Sequence, residues 1–301
     1  MPRFSILVPV FNAAPYIADT LDSVRKQGHP SVEVIVTDGA STDGTVEIVR
    51  AFEGLDITLV SEPDQGQLDA LQKAARLATG DVLYWLNADD VLLPGSLAKV
   101  DATFAADPDL DLVFSDDFAF DEAKRILVNG SLIRGLNFKD HALFYRQMYS
   151  ECVFWRRGAT KFLPDSDYDL RICTDYAFFL NMRPGLKSRW VEKRLGAFRM
   201  LPGQASDRFR DRHRAEFARI RNRAYVDAGW SPGSVPLRRL LHAPSFLLRQ
   251  RLRPALHAAA RAARRGIDGN ARREAMTQAF FDDWLHSREM PGDDLVRLLY
   301  R

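Results

Sequence analysis

Phe4-Ser5-Ile6-Leu7-Val8-Pro9-Val10-Phe11-Asn12 is a short apolar run rich in Val and Ile, closed by a proline and an asparagine. Such a run reads as a strand buried on both faces. Three more follow at Val32–Val36, Ile57–Val60 and Val82–Leu86. Helical patterns fill the intervals. Residues 14–27 place Ile17, Leu21 and Val24 at four- and three-residue spacing, and residues 45–52 place Val46 and Val49 on one side. Residues 67–78 put Leu68, Leu71, Ala74, Ala75 and Ala78 on one face and stop at Thr79-Gly80. The alternation predicts an α/β fold: a mostly parallel central sheet flanked by helices, Rossmann-like in plan.

In such sheets the ligand lies beyond the carboxyl ends of the strands. Polar residues gather there four times: Phe11-Asn12, then Asp38-Gly39-Ala40-Ser41-Thr42-Asp43-Gly44-Thr45, then Glu62-Pro63-Asp64-Gln65-Gly66, then Asn87-Ala88-Asp89-Asp90. The last suits a hard divalent cation, Mg²⁺ or Mn²⁺, held by Asp89 and Asp90 together with substrate phosphates. The competing reading has either acid capping the helix near Pro94. Asp38, at a strand tip, can accept a hydrogen bond from a base N–H, while Gly44 and Asp43 are explained by a turn and a cap alone. The helix opening at Gln67 offers free N–H groups to an anion. Lys73 lies two turns inside that helix, where solvation competes with a donor contact.

These motifs, in this order, resemble the family 2 glycosyltransferases. Ser5–Asn12 resembles that family's opening strand, Asp38–Thr45 its second motif, Glu62–Asp64 with Gly66 its third, and Gly80-Asp81 through Asp90 the approach to its metal motif. The match is dense over residues 4–100 and thins towards 206. The resemblance implies a glycosyltransferase-A fold and an inverting, metal-dependent transfer of a hexosyl or N-acetylhexosaminyl group. The donor would be a nucleotide diphosphate sugar, UDP-linked by resemblance, and the acceptor a saccharide or lipid-linked hydroxyl in surface polysaccharide or glycolipid synthesis. It implies a donor site at Pro9, Phe11, Asn12, Asp38, Asp64, Lys73, Asn87 and Ala88. Asn87 departs from the Asp often found there. Thr174–Leu180 resembles the helix start carrying the family's base, which implies Asp175, with helix capping as the other role and Asp165, Asp167 and Asp169 as rivals. Residues 198–206 resemble a closing motif, with Leu201 where many relatives have His. Arg199 there is a candidate for the diphosphate or for a structural ion pair.

Further on, residues 112–120 and 125–128 are expected to pair as a hairpin, Cys152–Trp155 to form a buried strand, and Thr174–Met182 a helix. Trp85 and Trp155 read as core, Trp155 with an acceptor pocket as the alternative. The expected domains are a catalytic unit over 1–206, with a nucleotide-sugar half at 1–100 and an acceptor half at 101–206. A helical, arginine-rich extension follows over 207–301.

A net charge of +2 on 301 residues gives no polycation, so no nucleic-acid partner is expected. Residues 236–266 nevertheless carry eight Arg and no Asp or Glu; removing those eight from +2 leaves −6 on the rest. Leucines are interleaved with them. That segment is expected to lie on an anionic surface, or to pack its leucines on the catalytic unit or on a second copy. The two cysteines form no framework, and the opening residues lack a leader-like apolar core. No stretch is long and apolar enough to span a bilayer. The expected place is the cytoplasm, peripherally at the inner membrane face. No Walker loop or Ser-His-Asp set is present. A nucleotidyltransferase, or a binding protein that kept the fold without the activity, are the alternatives.

Overall fold

The structure, a computed structural model, describes residues 1–129, 138–144, 148–164, 170–182, 186–204, 210–248 and 269–287. Asp165, Asp167, Asp169 and the arginines from 249 to 265 lie outside these. The opening strand is β1 (Phe4–Val10), followed by α1 (Ile17–Arg25), β2 (Val32–Asp38), α2 (Thr45–Ala51), β3 (Ile57–Ser61), α3 (Gln67–Leu77) and β4 (Val82–Trp85). Each lies within a residue of its expected limits, except that β2 runs two residues further and α1 begins three residues late and loses two at its end.

Next come β5 (Val91–Leu92), α4 (Ser96–Ala106), β6 (Leu112–Phe114), β7 (Phe118–Asp121), β8 (Ile126–Asn129) and α5 (Phe138–Phe144). A 3₁₀ turn at Ser150–Cys152 leads into β9 (Val153–Arg156). They are followed by α6 (Thr174–Asn181), β10 (Ser188–Trp190), β11 (Gly196–Arg199), α7 (Arg210–Asp227), α8 (Val235–Leu247), α9 (Gly269–Gln278) and a π-helical stretch at Ala279–Leu285.

The main sheet has the order β10-β6-β9-β4-β1-β2-β3, parallel except for β9, which runs antiparallel to both β4 and β6. Its two faces follow from the period of two in β1. Phe4, Ile6, Val8 and Val10 join a core with Ile17, Leu21 and Val24 of α1 and Leu97, Val100 and Phe104 of α4. Leu7 points the other way, to a second core with Leu71 and Ala74 of α3 and Phe178 and Phe179 of α6. Trp85 and Trp155 are both fully buried there, so Trp155 lines no pocket. The chain progresses from β1 to β3 on one side and then returns to place β4 on the other. The switch point therefore lies between β1 and β4. β1 pairs with β4 only over Phe4–Leu7, and beyond it the strands part. Pro9 sits where they part, so its missing N–H breaks no ladder there.

The hairpin expectation needs one correction. Residues 112–120 form two strands rather than one, broken at Ser115-Asp116-Asp117. β6 enters the main sheet, and only β7 pairs with β8, from Phe118↔Asn129 to Asp121↔Ile126. A second sheet of order β5-β11-β7-β8 results. Residues after 206 join these cores. Ile220, Ala224 and Tyr225 of α7 pack with Tyr176 and Ala177 of α6. Phe280, Phe281 and Trp284 cover Phe118 and Phe120 of β7.

Candidate active site

The loops after β1 and β2 are laced together. The Asn12 N–H donates to Ser41 Oγ (2.7 Å), and Asn12 Oδ1 accepts from the Thr42 N–H (3.0 Å). The Ala13 N–H donates to Thr45 Oγ1 and the Ala14 N–H to Asp43 Oδ2. Asn12 (φ 50°) and Ala40 (φ 63°) both take the left-handed backbone region, which costs a non-glycine residue energy and collects at functional loops. Phe11 stands 64% exposed at this edge, an aromatic face open to a planar ring. A Cβ at Gly39 would come within 2.7 Å of Asp64 Oδ2, so a side chain there would force the Asp64 carboxylate to move. Asp64 in turn accepts the Gly66 N–H at the entrance to α3 (2.7 Å).

Asp38 ends β2 and is buried. Its Oδ2 accepts from the Ser41 N–H (3.0 Å) and Ser61 Oγ (2.7 Å). Its Oδ1 is buried with no hydrogen-bond partner. A buried carboxylate oxygen left unpaired costs free energy unless a donor arrives.

The loop after β4 is held from every side. Asn87 Oδ1 accepts from Trp85 Nε1 (2.8 Å) and Gln67 Nε2 (3.0 Å), and its Nδ2 donates to Asp90 Oδ2 (2.9 Å). An aspartate at 87 would set a carboxylate oxygen against that of Asp90, so asparagine suits this position. Ala88 is buried, and Thr20 Oγ1 lies 2.8 Å from both the Ala88 and Asp90 carbonyls. Asp90 is fully enclosed; its Oδ1 accepts the Arg199 N–H (2.9 Å). Burial, with Asp89 adding, pushes the Asp90 carboxyl well up, against hydrogen bonds from Arg199 and Asn87. Both its oxygens are engaged by protein, whereas Asp89 is partly exposed. Burial raises the Asp89 carboxyl, while Arg199 and Gln204 beside it pull the other way.

Two residues expected at the donor are paired within the protein. Lys73 pairs with Glu62 (2.9 Å) and Asp69 (3.2 Å) and so braces the third strand-end loop. Arg199 is 1% exposed. Its Nε donates to the Asp89 carbonyl (2.8 Å), and its guanidinium pairs with Asp19 (3.0 Å) and Glu122 between the Tyr16 and Phe120 rings. With its guanidinium so engaged, it braces the loop that carries Asp89.

Asp175 lies in the first turn of α6, its Oδ1 accepting the Tyr176 N–H (2.7 Å). The 150–152 turn brings it together with the β4 loop. Glu151 is buried, and its carboxyl is driven well up by burial first and then by Asp90, Asp117 and Asp175. Tyr149 is raised by burial and then by Asp117 and Asp175. Glu151 therefore lies within electrostatic reach of Asp90, Asp117 and Asp175. Among the described residues, Asp117, Glu151 and Cys152 offer ligand atoms within 4.8 Å of one another. That group fits Mg²⁺ or Mn²⁺ poorly. Burial holds Glu151 and the Cys152 thiol towards their neutral forms, and a hard cation prefers ionised oxygen donors. Asp89, partly exposed and with Arg199 and Gln204 favouring its ionised form against burial, is the better candidate.

Residues 5–159 match the sequence model of Glycosyl transferase family 2, which is 155 of 301 residues. The chain belongs to that family. It is 29% identical over 215 residues to the PGL/p-HBAD biosynthesis glycosyltransferase of Mycobacterium bovis, covering 67% of this chain and 78% of the relative. The fold is similar to that of Staphylococcus aureus TarS, solved with UDP-GlcNAc: TM-score 0.56, 21% identity, 68% of this chain and 60% of that one. It is similar also to the mannosyltransferase PcManGT of Pyrobaculum calidifontis, solved with GDP-Man and Mn²⁺: TM-score 0.58, 22% identity, 99% and 86%. The chain is a glycosyltransferase of the expected fold.

Several residues of the site carry no sequence signal, because their role is set by packing. Glu216 on α7 is the clearest. Its buried carboxylate accepts the N–H groups of Arg171 (3.1 Å), Ile172 (3.0 Å) and Cys173 (3.1 Å), which fixes the chain immediately before α6 and so aims Asp175. Burial pushes Glu216 up, but Arg212 and these N–H groups outweigh it and hold the carboxyl below its ordinary value. A lowered folded pKa means a contribution complete above the unfolded value near ~4.3 and lost as pH falls through the folded one. Glu216→Gln is expected to lower unfolding free energy by about 1–3 kcal/mol at pH 7. Urea titrations should show that gap closing as pH drops below about 4. A gap that persists or widens in acid would contradict the role.

Proposed function

We propose that the chain transfers a sugar from a nucleotide diphosphate sugar to a hydroxyl acceptor, with inversion and with a divalent cation at Asp89. The observation that carries the donor reading is the unpaired, buried Oδ1 of Asp38 beside the switch point. Uracil presents a single N–H, which one free carboxylate oxygen satisfies; guanine presents an N–H and an amino group and needs two acceptors. Thymine shares that single N–H, so the oxygen favours a pyrimidine donor, and UDP-sugars are proposed on the family resemblance, with the base between Asp38 and the exposed Phe11. Mg²⁺ or Mn²⁺, when bound, stabilises charge on the departing diphosphate. Asp89 holds the cation, while Arg199, Asn87 and Asp90 fix the loop that carries Asp89. Asp175 accepts the acceptor hydroxyl proton, and Glu216 aims it. The acceptor is proposed to be a saccharide or lipid-linked hydroxyl of surface polysaccharide or glycolipid synthesis.

The test is thermal shift across UDP-, dTDP- and GDP-sugars with Mn²⁺, since a ligand that binds only the native state raises apparent stability. The expected ranking puts UDP-sugars first. Asp38→Asn should weaken UDP binding roughly 10- to 100-fold, the worth of a hydrogen bond to a charged group. A larger shift with GDP-sugars, or unchanged UDP affinity in Asp38→Asn, would overturn the donor assignment.

A further inference from the structure

Lys73 and Arg199, the two cations expected at the donor, are each held by two acids: Glu62 and Asp69 on one, Asp19 and Glu122 on the other. A diphosphate gains negative charge as its sugar departs, and part of a bound cation's charge is offset by Asp89 itself. Arg171 is placed differently. Its side chain is exposed, and among the described residues no carboxylate forms an ion pair with it. Its side-chain hydrogen bond runs from Nη1 to the Gln65 carbonyl.

That bond spans two parts of the site. Arg171 belongs to the segment before α6, where Glu216 accepts its backbone N–H together with those of Ile172 and Cys173. The contacts that aim Asp175 therefore also fix the root of this side chain. The guanidinium reaches the loop after β3, which adjoins both ends of the proposed donor site. Asp64 of that loop lies against Gly39, next to Asp38. Gln67 Nε2 donates to Asn87 Oδ1 of the metal loop (3.0 Å). Between them Gly66 takes φ 110°, and a Cβ there would come within 2.9 Å of Arg171 Nη1. A side chain at 66 would be strained and would force the guanidinium to move, so glycine leaves it room against the loop.

We propose that Arg171 is a donor-binding residue whose guanidinium takes the diphosphate of the nucleotide sugar. A planar guanidinium carries N–H donors on both edges, so one bond to a carbonyl leaves a fork for phosphate oxygens. Its place between the Asp38 and Asn87 loops is the stretch that a donor running from base to metal must cover.

The assignment rests on the nucleotide-sugar reading above, and its test separates the two. Binding of UDP, dTDP and GDP is measured by calorimetry with Mn²⁺, and binding of the matching nucleosides by ligand-observed NMR. Arg171→Gln is expected to weaken whichever diphosphate the parent binds by roughly 10- to 100-fold and to leave its nucleoside unchanged. Arg171→Lys keeps the charge without the fork and should fall between. Both ligand-free variants should melt near the parent, because the side chain is exposed. Equal diphosphate affinity in Arg171→Gln and the parent would overturn the proposal. So would an equal loss of nucleoside and diphosphate, which would reduce Arg171 to a tie between the α3 loop and the segment before α6. A parent that prefers GDP would sink the pyrimidine reading alone, with Arg171 still expected to show its loss on GDP. A parent that binds none of the three would overturn both.

Discussion

Asp175→Asn is expected to bind donor and metal as the parent does and to transfer sugar at least about a hundredfold more slowly. A sugar hydroxyl is a poor nucleophile at neutral pH, and its proton must leave as the new bond forms. Asparagine keeps the shape of the side chain and an oxygen for the Tyr176 N–H, which Asp175 now supplies at 2.7 Å. It cannot accept the proton. Because α6 is fixed at its entrance by Glu216 and along its length by Tyr176, Phe178 and Phe179, the substitution should leave the cleft in place. The checks are initial rates by product chromatography and donor binding by thermal shift. Near-parental transfer would move the base elsewhere, and Asp167 and Asp169 would be tested next.

The second large effect separates two neighbouring acids. Asp89→Ala should lower kcat/KM by roughly three orders of magnitude, the scale of losing a metal that stabilises a leaving group by several kcal/mol. It should change unfolding free energy by only about 0.5 kcal/mol, since the Arg199 clamp grips the Asp89 backbone carbonyl and not its side chain. Asp90→Ala should do the reverse in stability, costing about 1–3 kcal/mol through the buried donors it leaves unpaired. It strips partners from the Asn87 amide and the buried Arg199 N–H. Urea unfolding, Mn²⁺ titration and rate measurement on both variants check the pair. An Asp89→Ala enzyme that stays active in chelator, or an Asp90→Ala chain as stable as the parent, would reverse the roles assigned here.

Much of the fold was legible in the first hundred residues because β1 to β4 are buried on both faces and their helices carry plain three- and four-residue spacing. Pattern fails where packing decides. Residues 112–120 read as one strand because Ser115-Asp116-Asp117 interrupts an apolar run without a glycine or proline, yet β6 and β7 enter different sheets. Arg199 and Lys73 were legible as cations near a diphosphate site. Only coordinates reveal Asp19 and Glu122 on one and Glu62 and Asp69 on the other. Asp90 looked equivalent to Asp89 because adjacent residues share a motif, but one side chain is enclosed by protein and the other is partly exposed. Glu216, a helical acid amid arginines, resembles any solvated charge until its three backbone partners are seen.

The central claim is a single in-line displacement, with Asp89 on the side of the departing diphosphate and Asp175 on the side of the arriving hydroxyl. Proton NMR of the first product formed from an α-linked UDP-sugar reads this directly through the anomeric coupling. One displacement predicts a β-linked product throughout the time course. An α-linked first product would mean a different sequence of bond changes and would contradict the account.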